Sequence, residues 1–118
     1  MIKIVLIDDD PISAFVTEKL IAKNLTIPYT LFKFESAIRA LKEIGQINPN
    51  YLFLDLNMPE MTGWDFLEEL EATNNHAEIY ILSSSVDERD IKKARSYSLV
   101  KKYLSKPLVR NYIKTIFS

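Results

Sequence analysis

A chain of 118 residues has the length of one ordinary domain, and with 47% apolar residues it can build one core but hardly two. Its formal net charge of -1, from 15 basic and 16 acidic residues, lacks the basic excess of a module that binds nucleic acid directly. The absence of cysteine excludes disulfides, thiolate catalysis and cysteine-bound zinc, and it fits a cytoplasmic protein.

The chain opens with Ile2–Ile7, a continuous apolar run rich in β-branched residues, as expected of a strand buried on both faces. The run is too short for a secretory leader and is followed by Asp8-Asp9-Asp10, not by a small-residue cleavage site. No later stretch approaches the ~20 apolar residues of a membrane span. A soluble protein without membrane attachment is therefore expected. Asp10-Pro11 predicts a helix N-cap with proline at the first helical position. Ile12, Phe15, Val16 and Leu20 follow at helical spacing, to about Asn24. Tyr29–Phe34 alternates and predicts an edge strand, and Ser36 can cap a helix that buries Ala37, Ile38, Leu41 and Ile44, with Gly45 as its stop.

Tyr51–Leu54 predicts a second buried strand, ending at Asp55. Thr62 can cap a helix with Phe66, Leu67 and Leu70 on one face. Glu78–Leu82 predicts a strand ending at Ser83, and a helix beginning near Asp87 buries Ile91 and Ala94. Tyr103–Ser105 predicts a short strand stopped by Lys106-Pro107, and Leu108, Val109, Tyr112, Ile113 and Ile116 give the stripe of a last helix. Five strands alternate strictly with five helices. Short loops then require right-handed crossovers and a parallel sheet covered on both faces, an α/β domain spanning residues 1–118.

Ligands of such sheets sit beyond the carboxyl ends of the strands. At those ends stand Asp8 and Asp9, Asp55, Ser83 and Lys106. Three packed carboxylates repel one another and resist ionising, which a hard divalent cation relieves. Oxygen-only donors without histidine or cysteine suit Mg²⁺, which often takes phosphate oxygens as further ligands. A carboxylate can attack phosphorus, and Mg²⁺, an ammonium and a hydroxyl can together neutralise the transferring group.

Four segments carry a resemblance to the receiver domain of two-component response regulators. They are Ile7-Asp8-Asp9, Leu54-Asp55-Leu56-Asn57-Met58-Pro59-Glu60-Met61-Thr62-Gly63, Leu82-Ser83-Ser84 and Tyr103-Leu104-Ser105-Lys106-Pro107. All four in order, at the ends of the right strands, make the resemblance specific, and it covers the whole chain. It implies a flavodoxin-like sheet of strand order 2-1-3-4-5, with Asp55 as the phosphoacceptor. Asp9, Asp55 and the Asn57 backbone carbonyl would be direct Mg²⁺ ligands, with Asp8 holding the metal through water. Lys106 would pair with the phosphate, and Ser83 would shift toward it while Tyr103 changes rotamer. The cis bond of this family would fall at Lys106-Pro107. Asn57, Ser84, Ser85 and Pro107 would flank the phosphate, and Asn57 and Ser85 would tune its hydrolysis. The donor would be a phosphohistidine on a sensor histidine kinase or a histidine phosphotransfer protein, and the downstream partner would be a protein. Such a domain is a signalling phosphoacceptor that catalyses its own phosphorylation and dephosphorylation, not an enzyme acting on a separate substrate.

The chain departs from the common pattern at Leu99-Val100, where many receivers carry Gly-Ala, and at Ser84, where alanine is common. Two other functions compete. A phosphatase resembling the haloacid dehalogenases would use Asp8-x-Asp10 as nucleophile and acid, but leaves Asp55-Leu56-Asn57-Met58-Pro59 without a role. A receiver-like interaction module would not take phosphate at all. Asp10 reads as a helix cap, Trp64 as packing and His76 as a loop residue. The basic neighbourhood of Lys92, Lys93, Arg95, Lys101 and Lys102 reads as a solvated face. No effector domain follows Ser118, so the chain is expected to be either a stand-alone receiver or part of a larger regulator.

Overall fold

The computed structural model describes residues 1–118. The elements run β1 (Ile2–Ile7), α1 (Pro11–Asn24), β2 (Tyr29–Phe34), α2 (Ala37–Ile47), β3 (Tyr51–Leu54), α3 (Gly63–Glu71), β4 (Glu78–Ser83), α4 (Glu88–Arg95), β5 (Val100–Ser105) and α5 (Arg110–Ile116). All strand pairs are parallel, in the order β2-β1-β3-β4-β5. The expected fold class and strand order both hold.

The central strands are apolar because both of their faces are covered. Val5, Ile7, Leu52, Leu54, Ile79 and Ile81 belong to the larger core, against Ala37, Ala40 and Ile44 of α2, Phe66, Leu67 and Leu70 of α3, and Ala94 of α4. Ile4, Leu6, Phe53, Tyr80 and Leu82 point the other way, against Ile21 of α1 and Ile113 of α5. This alternation with period two fixes the strand register. Register in turn places the carboxyl ends of β1, β3 and β4 side by side, since Ile7 pairs with Leu54 and Leu54 with Ile81. No helix is long and apolar enough to cross a membrane.

Four local expectations change. Gly45 does not end α2. The helix runs on to Ile47, and Asn48 stops it in the left-handed region at φ 50°, its N–H donating to the Ile44 carbonyl. β5 begins at Val100, three residues before Tyr103, and its apolar pattern is interrupted by exposed Lys101 and Lys102. A register shift between Ile79 and Tyr80 marks its pairing with β4. α5 begins at Arg110, so Leu108 is buried in the connection before it and Val109 is exposed.

α1 presents a different face from the one its apolar residues suggest. Ile12, Phe15 and Val16 are 74%, 56% and 42% exposed. The inward stripe is Ala14, Thr17 and Ile21, with Leu20 half-buried beside it. That set has helical spacing but contains a threonine and an alanine, so it is weaker in hydrophobicity than the outward set.

Candidate functional site

Each acidic side chain owes its place to the backbone around it. β1 hands the chain to Asp8, whose N–H donates to the Phe34 carbonyl of β2 (3.0 Å). The Asp55 N–H donates to the Ile7 carbonyl (3.0 Å), so the backbone of Asp55 continues the ladder of β1. Asp8 and Asp55 are only 1% and 8% exposed, whereas Asp9 is half-buried. Carboxylate oxygens of Asp8, Asp9 and Asp55 all lie within 4.8 Å of one another.

Two of the three carboxylates share one cation. Lys106 Nζ lies 3.0 Å from Asp8 Oδ2 and 3.4 Å from Asp55 Oδ2. Its backbone N–H donates to the Ser83 carbonyl (2.9 Å), which fixes the root of the lysine beside the end of β4. Asp8 Oδ1 accepts from the Asp10 N–H (3.0 Å), and Asp55 Oδ1 accepts from the Leu56 N–H (2.8 Å). Asp9 has no protein partner. Burial pushes the Asp55 carboxyl above its ordinary value, and Lys106 opposes that rise while the neighbouring Asp8 adds to it. Three acids against one ammonium leave a net charge of about -2, which a divalent cation would balance. The donor set is all oxygen and includes an unpaired, partly exposed carboxylate, and so suits Mg²⁺.

The residues from the end of β4 onward form a second hydrogen-bonded group, tied to the first by the Lys106 N–H on the Ser83 carbonyl. Ser83 is fully buried, and its Oγ accepts from the Ser85 N–H (3.1 Å). The Ser85 hydroxyl donates to Asp90 Oδ2 (2.8 Å) and accepts from the Asp87 N–H (3.3 Å). The Tyr103 hydroxyl donates to the Ser85 carbonyl (3.0 Å). Ser85 thus turns its hydroxyl toward the start of α4. Ser84, Asn57 and Pro107 stand exposed around the rim, and the Lys106-Pro107 bond is cis.

Asp10 is not part of the acidic site. Its side chain accepts from the Ile12 N–H and caps α1 (3.0 Å), while Asp8 is engaged by Lys106. With Asp10 committed to the cap, Asp8-x-Asp10 offers no acid partner beside Asp8. Sequence reasoning gave Leu56 and Asp90 no part in this region. The Leu56 contribution is a backbone N–H and leaves no trace in residue type. Asp90 could have been noticed as a second carboxylate in the first turn of α4.

A family model described as "Response regulator receiver domain" matches residues 4–118. The chain is 27% identical over 120 residues to the transcriptional regulatory protein MalR of Bacillus subtilis, covering 100% of this chain and 49% of MalR. It is 26% identical over 108 residues to the transcriptional regulatory protein BtsR of Salmonella typhimurium, covering 92% of this chain and 43% of BtsR. The chain therefore spans about half the length of these curated relatives. Among solved structures, a two component response regulator from Cytophaga hutchinsonii superposes with a TM-score of 0.89 at 27% identity, covering 98% of this chain and 92% of that one.

Proposed function

The chain belongs to the response regulator receiver domain family of two-component signalling, and from that premise we propose that Asp55 is its phosphoacceptor. The observation that carries this reading is the shared Lys106, which sits against Asp55 and Asp8 at the only acidic cluster of its kind in the chain. A carboxylate oxygen of Asp55 attacks the phosphorus of a phosphoimidazole, the P–N bond breaks, and the imidazole leaves with a proton from solvent. Asp55 thereby becomes an acyl phosphate. Lys106 moves its attraction from the Asp55 carboxylate to the incoming phosphoryl oxygens, and the Leu56 N–H keeps the second carboxylate oxygen oriented. Asp9, Asp55 and the Asn57 carbonyl would hold Mg²⁺, with Asp8 acting through water. Mg²⁺ when bound neutralises charge on the transferring group. The domain acts on its own side chain, and hydrolysis of the acyl phosphate returns it to the starting state.

Histidine kinases phosphorylate receiver domains, and the donor here is a histidine kinase or histidine phosphotransfer protein. A docking place for it is supported by α1, whose capped start follows directly on Asp8 and Asp9 and which leaves Ile12, Phe15 and Val16 in solvent. Ser83, Ser85 and Tyr103 connect the acceptor region to α4 and β5, so a downstream protein that distinguishes two arrangements of that group reads the phosphorylation state. The lack of cysteine fits a reducing compartment, and we place the reaction in the cytoplasm.

Acetyl phosphate with Mg²⁺, read by intact mass and peptide mapping, tests the acceptor. Wild type gains one phosphoryl group on Asp55, Asp55→Asn gains none, and EDTA abolishes the gain. A label on Asp8, with turnover of phosphate esters, would replace this reading with a phosphatase. Equal labelling of wild type and Asp55→Asn would remove it.

A further inference from the structure

The chain has only two glycines, and they stand in opposite surroundings. A Cβ added at Gly45 would meet nothing within 4 Å. A Cβ added at Gly63 would lie 2.6 Å from the Asp55 carbonyl oxygen, 2.9 Å from Leu56 Cα and 3.1 Å from Leu56 Cδ2. The first two obstacles are backbone and cannot swing aside as a flexible side chain can. Both belong to the peptide unit that joins Asp55 to Leu56.

The loop from Asp55 to Gly63 explains how they come to touch. It leaves β3 at Asp55, reverses through Glu60 in the left-handed region at φ 66°, and returns. The Gly63 N–H then donates to the Leu56 carbonyl (2.9 Å) and closes the loop on itself. The start of α3 is held from outside by a capping box in which Thr62 and Asp65 exchange hydrogen bonds (both 3.2 Å). Behind it Phe66, Leu67 and Leu70 anchor the helix in the core. Neither partner in the Gly63 contact is free to retreat.

We infer that Gly63 is a positioning residue for phosphoryl transfer: it lets α3 press against the backbone of the acceptor and so fixes where the Asp55 carboxylate points. The inference rests on the reading of Asp55 as the acceptor. The route is short. The Leu56 N–H holds Asp55 Oδ1 at 2.8 Å, and the same peptide unit is the one that a Cβ at residue 63 would displace. Ordinary contact begins near 3.4 Å, so a methyl group must drive the two backbones apart by several tenths of an ångström. Misplacement of a reacting group by about 1 Å can slow a reaction about 10²-fold.

The test compares Gly63→Ala with Gly45→Ala in the full chain, using acetyl phosphate and Mg²⁺. Gly63→Ala, still unfolding cooperatively, is expected to label roughly 10- to 100-fold more slowly than wild type. It should also need more Mg²⁺ to reach half its maximal rate. Gly45→Ala should label at the wild-type rate. A second control, Thr62→Ala, weakens the start of α3 without touching the acceptor, so it separates loss of stability from loss of positioning. A folded Gly63→Ala with wild-type rate and Mg²⁺ dependence overturns the inference. Should Gly63→Ala fail to fold, the wild-type chain labelled with ¹⁵N-glycine decides, because it gives just two backbone amide signals. Beryllofluoride with Mg²⁺ should shift the Gly63 signal and leave Gly45 unmoved, and an unmoved Gly63 signal overturns the inference. Failure of wild type to label on Asp55 would instead overturn the acceptor reading beneath it, whatever the glycine variants do.

Discussion

Lys106 reaches Asp8 and Asp55 across 98 and 51 residues of sequence, whereas Ser85 meets Asp90 only five residues away. The first set joins the ends of three different strands. It depends on the whole sheet being formed, with Asp8 and Asp55 nearly sealed from water. The second set lies along one loop and the first turn of the helix it enters, with Val86 and Glu88 in solvent around it. Only the Tyr103 hydroxyl comes to it from afar. On the proposed reading of Asp55 as acceptor, the contrast suits two tasks. A reacting carboxylate gains from being over-determined, because its geometry must survive the arrival of charge. A segment that reports the reaction gains from single hydrogen bonds worth about 1 kcal/mol each, which a new bond can outbid.

Removing the shared cation should produce the largest change. Lys106→Ala leaves Asp8 and Asp55 without a counter-charge, and should lower stability at neutral pH in EDTA by about 2–3 kcal/mol. Labelling by acetyl phosphate should fall about 10²-fold. Denaturant melts with and without Mg²⁺ check the first, and Mg²⁺ should restore part of the loss. A variant as stable as wild type in EDTA would show that the ion pairs are not what holds the rim together.

Asp55→Asn should move stability the other way. Burial raises the Asp55 pKa, so the folded chain holds that proton more tightly than the unfolded chain does. Stability from this group is therefore full below the ordinary carboxylate value and is lost as pH rises through the raised folded value. Asparagine carries no such charge. At pH 7 without Mg²⁺ the variant should gain on the order of 1 kcal/mol over wild type, and the gain should vanish as pH falls toward 4. A gain independent of pH would assign it to packing instead.

The second region should answer weakly. Asp90→Ala removes the acceptor of the Ser85 hydroxyl, and Tyr103→Phe removes the donor to the Ser85 carbonyl. Each should lower stability by about 0.5–1.5 kcal/mol. Their labelling rates should stay within about twofold of wild type, while the amide signals of residues 84–90 respond differently to beryllofluoride. If either variant slowed labelling as much as Lys106→Ala, the two regions would be one unit.

The acidic region is also the more legible one in the sequence. Asp8, Asp9, Asp55 and Lys106 each follow a short apolar strand, so strand boundaries alone brought them to one rim. Ser85 was harder, because three consecutive serines do not reveal where each hydroxyl points. The sheet was readable for the same reason as the site, since its central strands are apolar on both faces. β5 was cut short because Lys101 and Lys102 interrupt the pattern. The end of α2 is hidden because Gly45, a usual stop, lies exposed on a helix that continues to Ile47. The inward face of α1 is not legible from apolar spacing, because Ala14, Thr17 and Ile21, not the larger Ile12, Phe15 and Val16, make the inward contact.

Lys101 and Lys102 also set the charge of an open sheet edge. β5 is the last strand of the sheet, and its outer edge offers unpaired backbone groups to any passing strand. Two exposed ammonium groups on that strand make an approach by a second identical edge electrostatically unfavourable, and the shifted register against β4 spoils its flatness. The same residues that hide β5 from a hydrophobicity pattern thus place like charge along its open edge.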